Sequence, residues 1–306
     1  MSLDVLFVTP PSRLEVYQKL AGEYAAIEPP VWSTLIAKYL IKKDYSVKIL
    51  DAEAEFLTHE ETADRIVSEN PKLIVYMIYG QQPSASTQCM PAGRKTAKLV
   101  REKTSGELLS IVVGTHASAL PHRTLNEEPY DFVCNGEGPI TIEKLLKNIK
   151  SNKKDYQNIP GLWYKHDDEI KGNQNAKLFE NLDEDLPGQA WELLDLSKYK
   201  AHNWHTFDNL ESRNKYASLQ TSLGCPFKCT FCCINAPFER NTIRFWSPKH
   251  IIKEIKFLIE KHGIYNIKIP DEMFVLNPKQ VSGICDEILK EGLGNYLNFW
   301  AYARID

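Results

Sequence analysis

The first 150 residues alternate short apolar runs with segments whose apolar side chains recur at helical spacing. The runs DVLFVTPP, SVKILD, PKLIVYMIYG and LLSIVVG, and the shorter YDFVC, are rich in β-branched or aromatic residues, which predicts buried strands. Between them, PPVWSTLIAKYL and PITIEKLLKNIK have helical periodicity, and Thr58 and Glu61 form a capping box at the start of another helix. This alternation predicts a doubly wound parallel sheet, with ligands bound beyond the carboxyl ends of its strands.

The pattern changes twice further along the chain. Residues 151–210 are polar and acidic, and they contain a predicted hairpin with Trp163 and Tyr164 on one arm, so we expect a connector there. Residues 211–306 return to β-α-β-α-β alternation, with a first strand over 216–222, a helix between Ser247 and Gly263, and a last strand in LNFWAYARID. We therefore expect an N-terminal domain over 1–150, a connector over 151–210 and a second α/β domain over 211–306.

Composition narrows the classes of function. The chain is 43% apolar and 25% charged, and its net charge of −3 gives no general reason to expect nucleic acid or an anionic membrane as partner. No apolar run is long enough to span a bilayer, and the segment MSLDVLFVTPP is typical of a first strand rather than a signal peptide. These features predict a cytoplasmic protein, in which thiols stay reduced.

Four of the seven cysteines lie close together in the segment SLGCPFKCTFCCINAPF. Cys225, Cys229 and Cys232 follow the spacing C-x3-C-x2-C. A disulfide is disfavoured in the cytoplasm, and a zinc site usually needs a second, separated pair of ligands, which does not follow here. Three thiolates on one loop can instead bind three irons of a [4Fe–4S] cube and leave the fourth iron open to the amine and carboxylate of a small molecule. We expect the adjacent Cys233 not to be a ligand.

This spacing, its position after a strand and the aromatic Phe231 before the third cysteine resemble the radical S-adenosylmethionine (SAM) superfamily. The following segment, from IRFWSPK to IPDEMF, resembles cobalamin-dependent members of that superfamily. The resemblance implies that Phe231, Asp271 and Glu272 contact SAM, the two acids through its ammonium group. It also implies that Arg304 pairs with a carboxylate of SAM or substrate. The alternatives are a solvated acidic turn and an ordinary salt bridge at a strand end.

The N-terminal stretches FVTPP, PPVWSTLIAKYL, VKILDA, VVGTHASALP and DFVCNGEGPITIEKLL resemble the cobalamin-binding domain of the same enzymes. Thr115 stands where that family typically has a second glycine, and the D-x-H-x-x-G signature of a cobalt-binding histidine is absent. A single loop histidine such as His116 is more often a packing residue than a ligand. The resemblance implies cobalamin contacts at Gly114, Thr115, His116, Gly136, Glu137 and Gly138.

Together these motifs predict a cobalamin-binding radical SAM enzyme, with a Rossmann-like domain followed by a partial (β/α) barrel. Such barrels usually have more than the three β-α units present, so we expect a truncated chain. The expected cofactors are a [4Fe–4S] cluster, SAM and cobalamin. The expected chemistry is reductive SAM cleavage with methyl transfer or a related radical modification, for which no side chain is assigned as catalytic.

The partners that this reading implies are an external electron donor and a small-molecule or peptide substrate that the motifs do not identify. Neither nucleic acid nor a membrane span is expected. Two alternatives remain open: a radical SAM domain beside an empty N-terminal domain, and a non-catalytic or decayed cluster-binding or metal-binding module.

Overall fold

The largest sheet of the protein has seven strands. The structure is a computed structural model that describes residues 2–22, 25–80, 83–201 and 215–304. The strands of this sheet are β1 Val5–Thr9, β2 Val47–Asp51, β3 Leu73–Met77, β4 Ser110–Val113, β5 Phe132–Cys134, β6 Leu162–His166 and β7 Glu169–Gly172. Their order is β2-β1-β3-β4-β5-β6-β7, and β1 to β5 are parallel.

Helices cover both faces of this sheet. The long helices are α2 Val31–Ile41, α3 His59–Glu69, α4 Met90–Thr104 and α7 Pro139–Lys150. On one face of the sheet, Val5 and Phe7 belong to a hydrophobic cluster with residues of α2 and α7. On the other face, Leu6 and Val8 belong to a second cluster with residues of α3 and α4. Packing on both faces confirms the predicted doubly wound parallel sheet. Shorter helices are α1 Arg13–Tyr17, α5 Thr115–Ala119, α6 Pro121–Glu127 and α8 Leu182–Asp185.

Local capping signals place the helix ends where the sequence predicts them. Thr58 accepts a hydrogen bond from the backbone of Glu61, whose side chain in turn accepts one from the backbone of Thr58, so α3 begins with the predicted capping box. In the second half, α9 spans Pro248–His262, with Ser247 as its N-cap and Gly263 in the left-handed region at its end.

The predicted hairpin is present, and it extends the large sheet. Strand β6 pairs antiparallel with β5 and β7, and Tyr164 on β6 is buried against the core. The sheet therefore continues to Gly172, past the boundary drawn at residue 150. The division of the chain into three parts stays a prediction, and its boundary at residue 210 lies outside the described residues.

The second half forms three parallel strands with two helices. The strands are β8 Tyr216–Ser218, β11 Asn266–Ile269 and β12 Asn298–Ala301, in the order β12-β11-β8, and the second helix is α10 Pro278–Lys290. This confirms the predicted β-α-β-α-β unit. Within the described ranges, the remaining short helices are 3-10 turns at Gln18–Ala21, Pro83–Cys89, Trp191–Leu193, Leu196–Lys198, Ala236–Phe238 and Phe274–Leu276.

The first strand of this unit is shorter than predicted. It ends at Ser218, and Ser222 belongs to a separate pair formed by β9 Ser222–Leu223 and β10 Arg244–Phe245, which are antiparallel. The prediction of one strand over 216–222 is wrong because the backbone N–H and the hydroxyl of Thr221 both donate to the Asp271 carboxylate, at 2.8 and 2.6 Å.

The two halves share one hydrophobic core. Tyr216 and Ile267 of the small sheet belong to the same buried cluster as Val5 and Phe7 of the large one. The connector joins them, since Gln189 accepts a hydrogen bond from Thr34 and donates one to the Ser218 carbonyl. Among the described residues, none of the helices combines the length and apolar character needed to cross a bilayer.

The buried carboxyl group of Asp51, at the end of β2, makes stability depend on pH. Its oxygens accept hydrogen bonds from the Tyr199 hydroxyl and from the backbone of Glu53 and Ala54, and burial raises its pKa from 3.8 to about 7. Between about pH 4 and about pH 7 the unfolded chain has lost this proton while the folded chain keeps it. The free energy of unfolding should therefore fall as pH rises, by at most about 1.4 kcal/mol per pH unit from this group.

Asp51→Asn should remove this contribution. Urea unfolding at several pH values measures the dependence, and the wild-type curve should slope more steeply downward with pH than that of Asp51→Asn across the window. Parallel curves would mean that Asp51 does not hold its proton in the folded protein.

Candidate functional site

The cysteine loop leaves β9 through a turn that requires glycine. Gly224 has φ +91°, and a Cβ there would collide with the Thr242 carbonyl. Cys225 is buried, Cys229 is partly exposed and Cys232 is exposed. Burial raises the pKa of the Cys225 thiol, and the nearby Cys232, Glu272 and Cys229 raise it further, so the three cysteines and this acid lie in one neighbourhood.

Asn235 fastens the two ends of this loop together. Its Oδ1 accepts a hydrogen bond from the Cys225 backbone at 3.0 Å, and its Nδ2 donates to the Cys225 carbonyl at 2.7 Å and to the Phe227 carbonyl at 3.3 Å. The same Nδ2 lies 2.9 Å from Asn241 Oδ1. The motif spacing gave no signal for Asn235, because its role depends on how the loop folds back.

Asn235→Ala should therefore loosen the loop without removing a thiol. We expect less iron per chain after anaerobic reconstitution, and faster loss of that iron to a chelator. Asn241→Ala, which removes one contact of Asn235 and leaves its bonds to Cys225, is the matched control and should retain more iron. Equal iron content and equal chelation rates in wild type and Asn235→Ala would contradict this role.

The three thiols do not converge on a single point. Among the described residues, no group of three or more His, Cys, Asp or Glu side chains could hold a metal ion. A cube differs from a single ion, because each thiolate binds a separate iron at a corner of the cluster. The assignment of Cys225, Cys229 and Cys232 as cluster ligands stays a prediction.

Two aromatic residues of the loop are placed differently from each other. Phe231, the predicted SAM contact, is 91% exposed. Phe227 instead lies against Arg304, whose guanidinium carbon is 4.4 Å from the ring centroid. The predicted SAM contacts Phe231 and Arg304 are thus not shown to meet, and their roles stay predictions. Cys233 is partly exposed, and its carbonyl accepts a hydrogen bond from Ala236 at 2.9 Å.

The two acids after β11 have different surroundings. Asp271 is buried and accepts hydrogen bonds from the backbone and hydroxyl of Thr221 and from the Ser222 hydroxyl; burial raises its pKa to about 6. Glu272 Oε1 is buried and has no hydrogen-bond partner in the structure, and burial together with the charge of Asp271 raises its pKa to about 7. Asp271 therefore holds the turn, whereas Glu272 can receive a cationic group.

A cleft that is partly open to solvent lies between the two sheets, beyond the carboxyl ends of β1, β3, β8 and β11. A smaller hollow shares Trp32, Tyr79, Gln220 and Pro270 with it and reaches Gly224 and Glu272. The cleft thus adjoins the cysteine loop. Its walls include Thr9, Arg13, Glu28, Trp32, Ser33, Glu53, Tyr79 and Gln220.

The polar atoms in the cleft walls indicate what the cleft can bind. In the described part of the chain, buried polar atoms at this cleft without a hydrogen-bond partner are Thr9 Oγ1, Arg13 Nε, Trp32 Nε1, Ser33 Oγ, Tyr79 OH and Gln220 Oε1, and all of them except Arg13 Nε belong to neutral side chains. Buried polar groups normally have partners, so these neutral donors and acceptors favour a ligand with neutral polar groups. Two rings also present a flat surface, since Trp32 and Tyr79 stack with centroids 5.6 Å apart.

The charged side chains in the walls of the cleft have ion-pair partners. Arg13 donates its backbone N–H to Glu53 at 2.6 Å, and its Nε lies 3.6 Å from the same carboxylate. Glu28 is 2.6 Å from the ammonium of Lys268. A large ligand with neutral polar groups therefore suits this cleft better than a highly charged one.

The glycines predicted to approach a corrinoid lie against the protein itself. A Cβ on Gly114 would collide with the Ile78 carbonyl, and one on Gly138 would be 3.0 Å from Ile36. Gly136, with φ +136°, faces the Pro237 carbonyl at 3.9 Å from the position of a Cβ. These three glycines allow close packing of the loops, and none of them lines the cleft as far as the structure describes it.

The other three predicted corrinoid residues are dispersed. Thr115 lines the smaller hollow, and the His116 ring nitrogen Nδ1 lies 2.9 Å from the Thr87 hydroxyl. Glu137 is buried in an ion pair with Arg244, whose two terminal nitrogens lie 2.5 and 3.3 Å from its oxygens. Sequence reasoning missed Trp32, Tyr79 and Gln220, although Trp32 and Tyr79 lie in the stretches PPVWSTLIAKYL and PKLIVYMIYG.

Known proteins resemble both halves of this arrangement. Residues 17–146 match the family model of the B12 binding domain. An uncharacterized methyltransferase, PH0819 of Pyrococcus horikoshii, is 28% identical over 99% of this chain. The cobalamin-dependent SAM radical enzyme OxsB, solved with aqua-cobalamin and SAM bound, has the same fold, with a TM-score of 0.72 and 19% identity over 97% of this chain and 38% of its own. Residues 17–146 thus match a B12-binding domain, and the chain as a whole has the fold of OxsB.

A second curated relative is an anaerobic magnesium-protoporphyrin IX monomethyl ester cyclase of Synechocystis, 28% identical over 87% of the chain. The chain spans 60% of the length of the Pyrococcus relative and 49% of the cyclase. The predicted fold, a doubly wound sheet followed by part of a (β/α) barrel, is confirmed. The predicted contact residues were not tested by these likenesses.

Proposed function

We propose that the protein binds a [4Fe–4S] cluster, SAM and cobalamin, and that it catalyses methyl transfer or a related radical modification. One observation carries the proposal: the cleft with unpartnered neutral polar atoms, beside the B12-binding domain, opens through a smaller hollow onto the cysteine loop. The two relatives named above are a methyltransferase and a cyclase, which supports a modification of this general kind.

The cysteine loop fits a cluster with an open iron. Cys225, Cys229 and Cys232 would bind three irons, and Asn235 would hold the loop in shape. When bound, the cluster supplies an electron to SAM, and cobalamin supplies a carrier for a methyl group. The protein's part is to position these groups beside one another and to limit the access of water.

Glu272 is suited to orient SAM. Its buried Oε1 lacks a partner, and it lies in the hollow that reaches Gly224 at the start of the cysteine loop. An ammonium group there would supply the missing charge-assisted hydrogen bond. Asp271 would act indirectly, by holding the turn through Thr221 and Ser222.

The cleft fits a corrinoid. It opens between the two sheets beyond the carboxyl ends of four strands, which is where parallel α/β sheets usually bind their ligands. The amide side chains of a corrinoid offer donors and acceptors that match Ser33, Tyr79 and Gln220, whereas the stacked Trp32 and Tyr79 offer a flat apolar wall. Among the loop residues predicted from the family resemblance, Thr115 supports this proposal, since it lines the smaller hollow beside the cleft.

Cobalamin binding and SAM cleavage test the two halves of the proposal separately. The reconstituted protein should bind aquacobalamin, and with dithionite and SAM it should release 5′-deoxyadenosine. Trp32→Ala should weaken cobalamin binding about tenfold or more, because a stacked wall of the cleft is lost, and should leave the iron content unchanged. Tyr296→Ala, at an aromatic residue that is 64% exposed, is the control.

Glu272→Gln keeps the size of the side chain and removes its charge. It should weaken SAM binding without changing cobalamin binding. A protein with a full complement of iron that neither binds cobalamin nor releases 5′-deoxyadenosine would refute the proposed function.

A further inference from the structure

A buried ion pair joins the N-terminal half to β11, the strand that leads into Pro270 at the cleft. Glu28 lies in the loop before α2, and its Oε1 is 2.6 Å from the Lys268 ammonium on β11. Its other oxygen accepts a hydrogen bond from the Ser218 hydroxyl on β8, at 3.1 Å. The two partners are 240 residues apart in sequence, so the pair joins the two halves directly.

Lys268 is enclosed on all the sides that the structure describes. Its side chain is 3% exposed, and its ammonium lies over the rings of Trp300 and Tyr302, at 5.4 and 5.8 Å. A buried ion pair is weak evidence for stability, because a pair of apolar residues of the same volume often serves as well. The pair is therefore more important for the position in which it holds the segment before α2 than for stability.

That geometry controls a wall of the cleft. Glu28 itself lines the cleft, and it is followed by Pro29 and Pro30 and then by Trp32 and Ser33 on α2, which also line it. Two prolines restrict the backbone between the ion pair and the helix. The contacts of Glu28 with Ser218 on β8 and Lys268 on β11 therefore set the distance of Trp32 from these two strands.

We infer that Glu28 and Lys268 are positioning residues that set the width of the cleft and so the place of the corrinoid ring between the two sheets. Ile27 supports the same arrangement, since its carbonyl accepts a hydrogen bond from the Tyr216 hydroxyl at 3.2 Å and its backbone pairs with Lys200 of the connector. The part of this inference that concerns the corrinoid rests on the proposed function. The part that concerns the loop does not.

Variants that neutralise one or both charges separate the effect of the ion pair on the position of the loop from its effect on stability. Glu28→Gln and Lys268→Met each leave one buried charge unpaired, so both should lower the melting temperature. The double variant Glu28→Gln/Lys268→Met has no unpaired charge, and its melting temperature should return toward that of the wild type. The ion pair is absent in all three, so all three should bind aquacobalamin about tenfold or more weakly, with unchanged iron content.

Hydrogen exchange gives a readout that needs no corrinoid. In the protein without added ligand, amides of residues 26–34 should exchange faster in all three variants, whereas those of α3 should not change in the double variant. Lys48→Met, which breaks the exposed pair of Lys48 and Glu69 at 2.6 Å, is the matched control and should resemble the wild type throughout.

Two results would overturn the inference, and a third would overturn only the proposed binding of a corrinoid. If cobalamin affinity and exchange both recovered with the melting temperature in the double variant, the pair would be merely structural and the inference overturned. If each single variant bound cobalamin and exchanged like the wild type, the inference would also be overturned. If the wild type bound no cobalamin but the variants exchanged faster at 26–34, the positioning of the loop would stand and the corrinoid assignment would be wrong.

Discussion

Arg244→Met should lower the free energy of unfolding by about 3–5 kcal/mol, because it leaves the carboxylate of Glu137 buried without its partner. The two side chains are only 10% and 6% exposed. Burial raises the pKa of Glu137 and the Arg244 guanidinium opposes that rise, so removal of the guanidinium leaves burial unopposed. The variant also loses the hydrogen bond from Arg244 to the Phe179 carbonyl, at 2.7 Å, and the contact with the Phe238 ring.

Urea unfolding near neutral pH measures this loss. Arg65→Met is the control, because Arg65 is half exposed and lies 3.5 Å from Glu55, and it should change stability by no more than about 1 kcal/mol. The double variant Glu137→Leu/Arg244→Met should recover much of the loss. A cost for Arg244→Met no greater than that of the control would show that the two halves are not fastened by this pair.

Cys232→Ser should abolish the cluster, whereas Cys233→Ser should keep it. The two residues are adjacent in the chain, so each variant is the control for the other. After anaerobic reconstitution, the wild type and Cys233→Ser should carry roughly four iron atoms per chain, and Cys232→Ser should carry far less. The reason is the ligand spacing: Cys232 closes a turn with Cys229, whose carbonyl accepts its N–H at 3.1 Å, whereas Cys233 begins the next turn, toward Ala236.

Iron and sulfide analysis, with the absorption spectrum of the cluster, measures this difference. Loss of iron in Cys233→Ser to the same extent as in Cys232→Ser would mean that the ligand set differs from the predicted one. Full iron in both variants would remove the basis of the cysteine assignment.

The elements that depend on local signals were predictable from the sequence. The capping box of Thr58, the N-cap at Ser247 and the left-handed Gly263 each act within one helical turn, so their spacing is sufficient to locate α3 and α9. The alternation of strands and helices gave the doubly wound sheet for the same reason. The prediction of one strand over 216–222 was wrong because Asp271, fifty residues away in sequence, accepts the hydrogen bonds that Thr221 donates.

The site depends on contacts that no local pattern records. The cleft is built from the loops after four strands of two sheets, and Glu28 meets Lys268 across 240 residues. Charged residues in a sequence are usually solvated, so the burial of Glu137 with Arg244 is visible only in three dimensions. The same holds for Glu272, which the motif grouped with Asp271 although the fold gives only Asp271 a full set of partners.

Electron paramagnetic resonance of the reduced, reconstituted protein tests the central claim most directly. If three cysteines bind the cluster and leave one iron open, addition of SAM will change the signal of the reduced cluster in the wild type and in Cys233→Ser. The same change should be weaker in Glu272→Gln at equal SAM concentration. A signal that SAM leaves unchanged, in protein that holds its full complement of iron, would contradict the account.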